Sequence, residues 1–91
     1  MIKSTNNKGF SLTFENGWTI SVQFGYGNYC DNSHHPNGFD FGRTQPLVES
    51  FNAEIAMWDA DEKWYDFGSN TVKGYCSANE VAEWIEKVSK F

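Results

Sequence analysis

Four side chains in this sequence have the chemistry to hold a metal ion or to attack an electrophile: Cys30, His34, His35 and Cys76. The Cys30-x-x-x-His34 spacing suits a zinc ion if Cys76 folds in beside it. Only one cysteine lies beside the histidine pair, however, and there is no C-x-x-C unit of the kind that structural zinc sites use. Read instead as a nucleophile and its base, Cys30 and His34 lack an orienting third group and an oxyanion site. Two solvent-facing histidines in a polar loop are the plainer account, so no catalytic residue, metal or cofactor is assigned.

Two further patterns resemble chemical motifs and fail on detail. Gly25-Tyr26-Gly27 follows a strand-like run, as in the dinucleotide fingerprint G-x-G-x-x-G, but the sixth position is Cys30 and the chain continues into Asp31-Asn32-Ser33-His34-His35-Pro36. No helix starts there to receive a phosphate. The glycines are better suited to a bulge or a sharp bend where a strand leaves its sheet. Asp59-x-Asp61 opens like a calcium loop, yet Lys63 stands where a ligand is needed and Trp64 where the turn requires glycine. A solvated turn accounts for it. Together with Glu54 and Asp66, these carboxylates form an acidic face if the strands bring them together, as an inhibitor that mimics nucleic acid requires.

With chemistry set aside, recognition through the Gly25–Thr44 loop and nearby exposed aromatics is the remaining use of this stretch. Tyr26, Tyr29, Phe39 and Arg43 are the candidate anchors, since aromatic and arginine side chains dominate interface energetics, with Asn28, Asp31 and His34 as polar supports. From Gly25 to Pro46 no periodicity is sustained, and glycine and proline punctuate the segment throughout. A loop of that length in a small domain is often functional.

The elements that must position this loop are legible on both sides of it. Phe10, Leu12 and Phe14 alternate with Ser11 and Thr13, and Trp18, Ile20, Val22 and Phe24 alternate with Thr19, Ser21 and Gln23. Period-2 alternation on both sides of Asn16-Gly17 predicts a β-hairpin. Leu47–Asp59 reads as a third strand with Phe51, Ala53, Ile55 and Met57 on one side. Trp64–Phe67 reads as a fourth, closing a second hairpin over the charged turn, and Thr71–Cys76 as a short fifth strand or an extended connection. Ser77-Ala78-Asn79-Glu80 matches the capping box. The helix it opens carries Val81, Trp84, Ile85 and Val88 on one stripe, with Glu83–Lys87 and Glu86–Lys90 spaced for ion pairs. Met1–Gly9 is polar and reads as a loosely held lead-in. The fold class expected is α+β: an antiparallel sheet of four or five strands with the C-terminal helix packed on one face.

Length and charge bound the partners. The 91 residues are enough for one domain, 1–91, and for one core. Aromatic residues make up 18% of the chain, more than a small core obviously needs; a core built from aromatics because the domain is small is the plainer account, and an interface stripe is the alternative. The net charge of -5, with seven scattered Lys and Arg, argues against direct nucleic-acid binding, which requires a basic patch. The N-terminal MIKSTNNKGF contains no apolar run, so neither export nor a membrane is expected. A cytoplasmic setting with both thiols free follows, a Cys30–Cys76 disulfide being the alternative.

The stretch GWTISVQFG at residues 17–25, followed by Asn28-Tyr29-Cys30, resembles short uncharacterised proteins of bacteriophages and prophages. Ala53-Glu54-Ile55-Ala56-Met57-Trp58 and Val72-Lys73-Gly74-Tyr75 are similar to the same group, and together these pieces span under half the chain. The resemblance implies a viral or mobile-element origin and no particular activity. It makes a host protein the expected partner of a non-catalytic binding protein. The alternatives are an acidic inhibitor of a host-defence nuclease, of the anti-CRISPR or anti-restriction type, and a small metal-binding or enzymatic domain using Cys30 and His34. An unpaired edge strand would also suit a homodimer.

Overall fold

The computed structural model describes residues 1–5, 8–34 and 48–91. Five strands, β1 (Ile2–Thr5), β2 (Gly9–Thr13), β3 (Thr19–Gln23), β4 (Asn52–Trp58) and β5 (Lys73–Ser77), precede one helix, α1 (Ala78–Ser89). The strands form one sheet in the order β1-β2-β3-β4-β5, antiparallel at every step, which is the α+β architecture expected. The lead-in is not loose: Ile2–Thr5 is the edge strand, paired Ile2↔Leu12 through Thr5↔Gly9. Polar residues satisfy a strand at an edge, where one row of backbone groups meets solvent, so composition alone misses it.

The alternation on each strand sorts its residues between two faces. Ile20, Val22, Ala53, Ile55, Met57, Cys76 and Val88 form the buried core, with Phe10, Leu12, Trp18, Val81, Trp84 and Ile85 packed around it. Helix α1 lies chiefly across β3, β4 and β5 and supplies Val88, which is fully buried. The capping box is present as expected, with Glu80 N–H donating to Ser77 Oγ at 3.2 Å and Ser77 N–H to Glu80 Oε1 at 3.2 Å. Glu86 and Lys90 pair at 2.9 Å. Lys87 instead lies over the Trp84 ring, 4.4 Å from its centre, where a cation meets the negative face of the indole.

The far end of the helix is tied to the first hairpin. Asn16 Nδ2 donates to Val88 O at 2.9 Å and to Phe91 O at 3.3 Å, and its Oδ1 accepts from Trp18 N–H at 3.0 Å. Gly17 completes that turn at φ 89°, a conformation that glycine adopts without penalty.

The segment Trp64–Phe67, expected as a strand, joins β4 among the described residues through one bridge, Trp58↔Trp64, and one backbone hydrogen bond, Tyr65 N–H to Met57 O at 2.8 Å. Tyr65 and Phe67 turn to the helix instead, while Trp64 stacks on Trp58. Tyr65 meets Trp84 at 5.8 Å and Phe91 at 5.9 Å, and Phe67 meets Trp84 at 5.2 Å, so this segment closes one end of the core. The place beside β4 goes to β5. Among the described residues, no helix is long and apolar enough to cross a membrane.

Candidate binding surface

Residues 25–34 form a tight loop rather than a loose excursion. Asn28 Oδ1 accepts from Gly25 N–H at 3.0 Å, Asn28 N–H returns to Gly25 O at 3.2 Å, and Cys30 N–H reaches Asn28 O at 2.8 Å. Gly27 sits at φ 86° within it. Cys30 points inward and is fully buried, with Sγ 3.6 Å from Gly25 O, so the loop has a small centre of its own.

Polar side chains on the sheet hold this loop down. Glu54 Oε2 accepts from Tyr29 N–H at 2.7 Å, Asn52 Oδ1 from Asp31 N–H at 2.8 Å, and Asn32 Nδ2 donates to Phe24 O at 2.8 Å and Glu49 O at 2.9 Å. Asn52 and Glu54 alternate with the buried Ala53 and Ile55, so the loop lies against the sheet face opposite the helix. The backbone contacts β5 as well: Tyr75 N–H donates to Tyr29 O at 2.8 Å. Gly74 makes this approach possible, because a Cβ there would stand 2.6 Å from Tyr29 Cβ and 3.1 Å from Tyr29 O.

Opposite Glu54 the β4–β5 register slips, from Ala53↔Cys76 to Ile55↔Lys73. Tyr75 lies in this bulge at φ 54°, a left-handed conformation in which a bulky residue is a genuine outlier. The outcome is a pair of projecting tyrosines: Tyr29 is 58% exposed and Tyr75 56%, with Tyr26 at 39% nearby in the loop. Just before β4, Phe51 is 93% exposed. It borders an apolar groove of about 340 Å³ between strand and helix, lined by Val22, Phe24, Ala53, Cys76 and Val81. A second hollow of about 340 Å³ shares Glu49, Ser50 and Phe51 with it and is also lined by Asp31 and Asn32.

The residues singled out from sequence thus separate into kinds. Tyr26, Tyr29, Asp31 and His34 are exposed on the loop, whereas Asn28 is half-buried and its side chain builds the turn. Phe39, Arg43 and His35 lie outside the described residues. Tyr75 and Phe51 join the surface without having been expected there. Alternation placed Phe51 with Ala53 and Ile55 on the core side, but β4 starts only at Asn52, so Phe51 is free of that pattern.

Among the described residues, no group of three or more His, Cys, Asp or Glu is arranged to hold a metal ion. Both cysteines are free and buried. Burial is the main cause that pushes each thiol above its ordinary 9.0, with the Glu80 carboxylate adding to it at Cys76 and those of Glu54 and Asp31 at Cys30. A nucleophilic cysteine requires the opposite shift. Three of the carboxylates are engaged locally: Asp59 Oδ1 accepts from Asp61 and Lys63 N–H, Asp66 Oδ1 accepts from Gly68 N–H, and Glu54 Oε2 accepts from Tyr29 N–H. Comparison with family models, curated proteins and solved structures finds no match for this chain.

Proposed function

We propose that this is a non-catalytic binding protein that engages a protein partner through Tyr26, Tyr29, Tyr75 and Phe51, at the end of the sheet where the 25–34 loop is seated. The observation that carries this reading is the tyrosine pair. Tyr29 and Tyr75 stand more than half exposed, yet their backbones are locked together by a 2.8 Å hydrogen bond and Tyr75 is held at φ 54°. Strained backbone that persists beside exposed aromatics is costly to stability and is characteristic of sites where geometry serves recognition. A fixed tyrosine supplies large amphipathic contact area with little ordering entropy left to lose on binding.

The resemblance to phage proteins makes a host protein the expected partner, and the net charge of -5 favours one with a basic or neutral surface. The test is affinity capture from host lysate with the wild-type chain, followed by titration of the captured protein against Tyr29→Ala and Phe51→Ala. Each substitution is expected to weaken binding by about 2 kcal/mol or more while thermal stability is kept. Equal affinity of the variants and the wild type rules out this surface.

A further inference from the structure

The sheet face away from the helix carries a further concavity, distinct in lining from the two hollows beside Phe51. The strand register places Lys3, Ser11, Ser21 and Ala56 in one row across β1 to β4. The rows on either side hold Thr5, Gly9, Gln23 and Glu54 on one and Thr13, Thr19 and Trp58 on the other. Over β3 and β4 the small Ser21 and Ala56 lie between Gln23 and Glu54 on one side and Trp58 on the other, which leaves a trough in the sheet face. Lys3, Thr5, Ser11, Ser21, Gln23 and Trp58 line a cleft of about 430 Å³ there. That volume falls within the roughly 300–1,000 Å³ of small-molecule sites.

The polar groups of this cleft are pre-set. Gln23 Nε2 donates to Ser21 Oγ at 3.1 Å and to Thr5 Oγ1 at 3.3 Å. Both amide hydrogens are thereby used, and Gln23 Oε1 has no partner among the described residues. The Ser21 and Thr5 hydroxyls, accepting from Gln23, keep their own hydrogens to donate. Lys3 Nζ adds an ammonium donor and Ser11 a hydroxyl that both donates and accepts. Trp58 forms a wall whose orientation is fixed by stacking on Trp64, with ring centres 5.0 Å apart and an interplanar angle of 26°.

We propose that this cleft binds a short neutral saccharide. A pyranose offers vicinal hydroxyls, which suit alternating hydroxyl, amide and ammonium partners, and an apolar C–H face, which suits an indole wall. An apolar ligand would leave Gln23 Oε1 and the Ser11 and Ser21 hydroxyl hydrogens unpaired, at a cost. A polyanion would face a chain of net charge -5 with one lysine in the cleft. The proposal does not rest on the protein-binding reading.

The test is a ¹H–¹⁵N NMR titration of the intact chain with cellobiose, maltose and N,N′-diacetylchitobiose, each to ~10 mM, or about ten times a millimolar Kd. At least one sugar is expected to move the Trp58 indole N–H and the Ser11 and Ser21 amides. Ser21→Leu and Ser11→Leu fill the trough from the solvent side, and each should weaken that binding at least about tenfold with the amide spectrum otherwise preserved. Tyr29→Ala should leave it unchanged. Absence of shifts with all three sugars overturns the proposal, as do shifts that persist in both leucine variants.

Discussion

The backbone N–H of Tyr75 donates to the carbonyl of Tyr29 at 2.8 Å across 46 residues of chain, and Tyr75 holds φ 54° to do so. Relief of that conformation separates stability from binding. Tyr75→Gly removes a left-handed penalty of about 1–2 kcal/mol, against roughly 0.5–1 kcal/mol of extra chain entropy for glycine. Denaturant unfolding should therefore find the variant as stable as wild type or more so, by about 0.5 kcal/mol. Partner affinity should fall, since the projecting ring is gone. A clear loss of stability would show that the ring is structural.

Gly74 tests the same junction from beneath. Alanine there puts a methyl group 2.6 Å from Tyr29 Cβ, and the Tyr29 carbonyl is close on the other side. The expected cost is about 1–3 kcal/mol of overpacking, read by thermal unfolding, together with displaced amide resonances for residues 28–31. Unmoved resonances would show that the loop is not seated on β5.

Asn16 acts over a longer range, bridging the first hairpin to the helix end. Asn16→Ala should lose about 1–2 kcal/mol, because it removes both donors to Val88 and Phe91 and the acceptor for Trp18 N–H. Asn16→Asp should do worse than alanine in this respect. It keeps the acceptor but sets a negative charge against the negative end of the helix dipole. Urea unfolding of the two variants gives the order directly.

The buried thiols give the protein an alkaline limit. Folding raises the Cys30 and Cys76 pKa above 9.0, mainly through burial, so the folded chain resists thiolate formation and the unfolded chain does not. The stability associated with the neutral thiols is fully present below pH 9 and declines as pH rises past it toward the folded values. Cys76→Ala should flatten that alkaline decline in melting temperature, at the cost of a core contact at every pH. An unchanged slope would assign the decline to other groups.

Salt separates recognition by tyrosine from charge mimicry. With Tyr29, Tyr75 and Phe51 as anchors, affinity for the captured partner should change little between low and physiological ionic strength, and Asp61→Lys with Glu62→Lys should be tolerated. Steep loss of binding with salt, or abolition by those reversals, would favour the acidic-mimic reading.

Local patterns in the sequence were enough for the Asn16-Gly17 hairpin, the Ser77–Glu80 capping box and the core stripe from Ile20 to Val88. Alternation, turn chemistry and helical spacing act over a few residues, and here each agreed with the final packing. The lead-in strand escaped because an edge accepts polar residues, and Trp64–Phe67 misled because alternation specifies faces without specifying a neighbour. The sequence also marked Gly25–Asp31 as the point where the sheet gives way to a loop. Only the tertiary structure decided what that loop presents. The β4–β5 register slip opposite Glu54 forces Tyr75 outward, and the late start of β4 frees Phe51 from the core pattern. Register and strand ends are set by contacts between segments distant in the chain, so no local pattern encodes them.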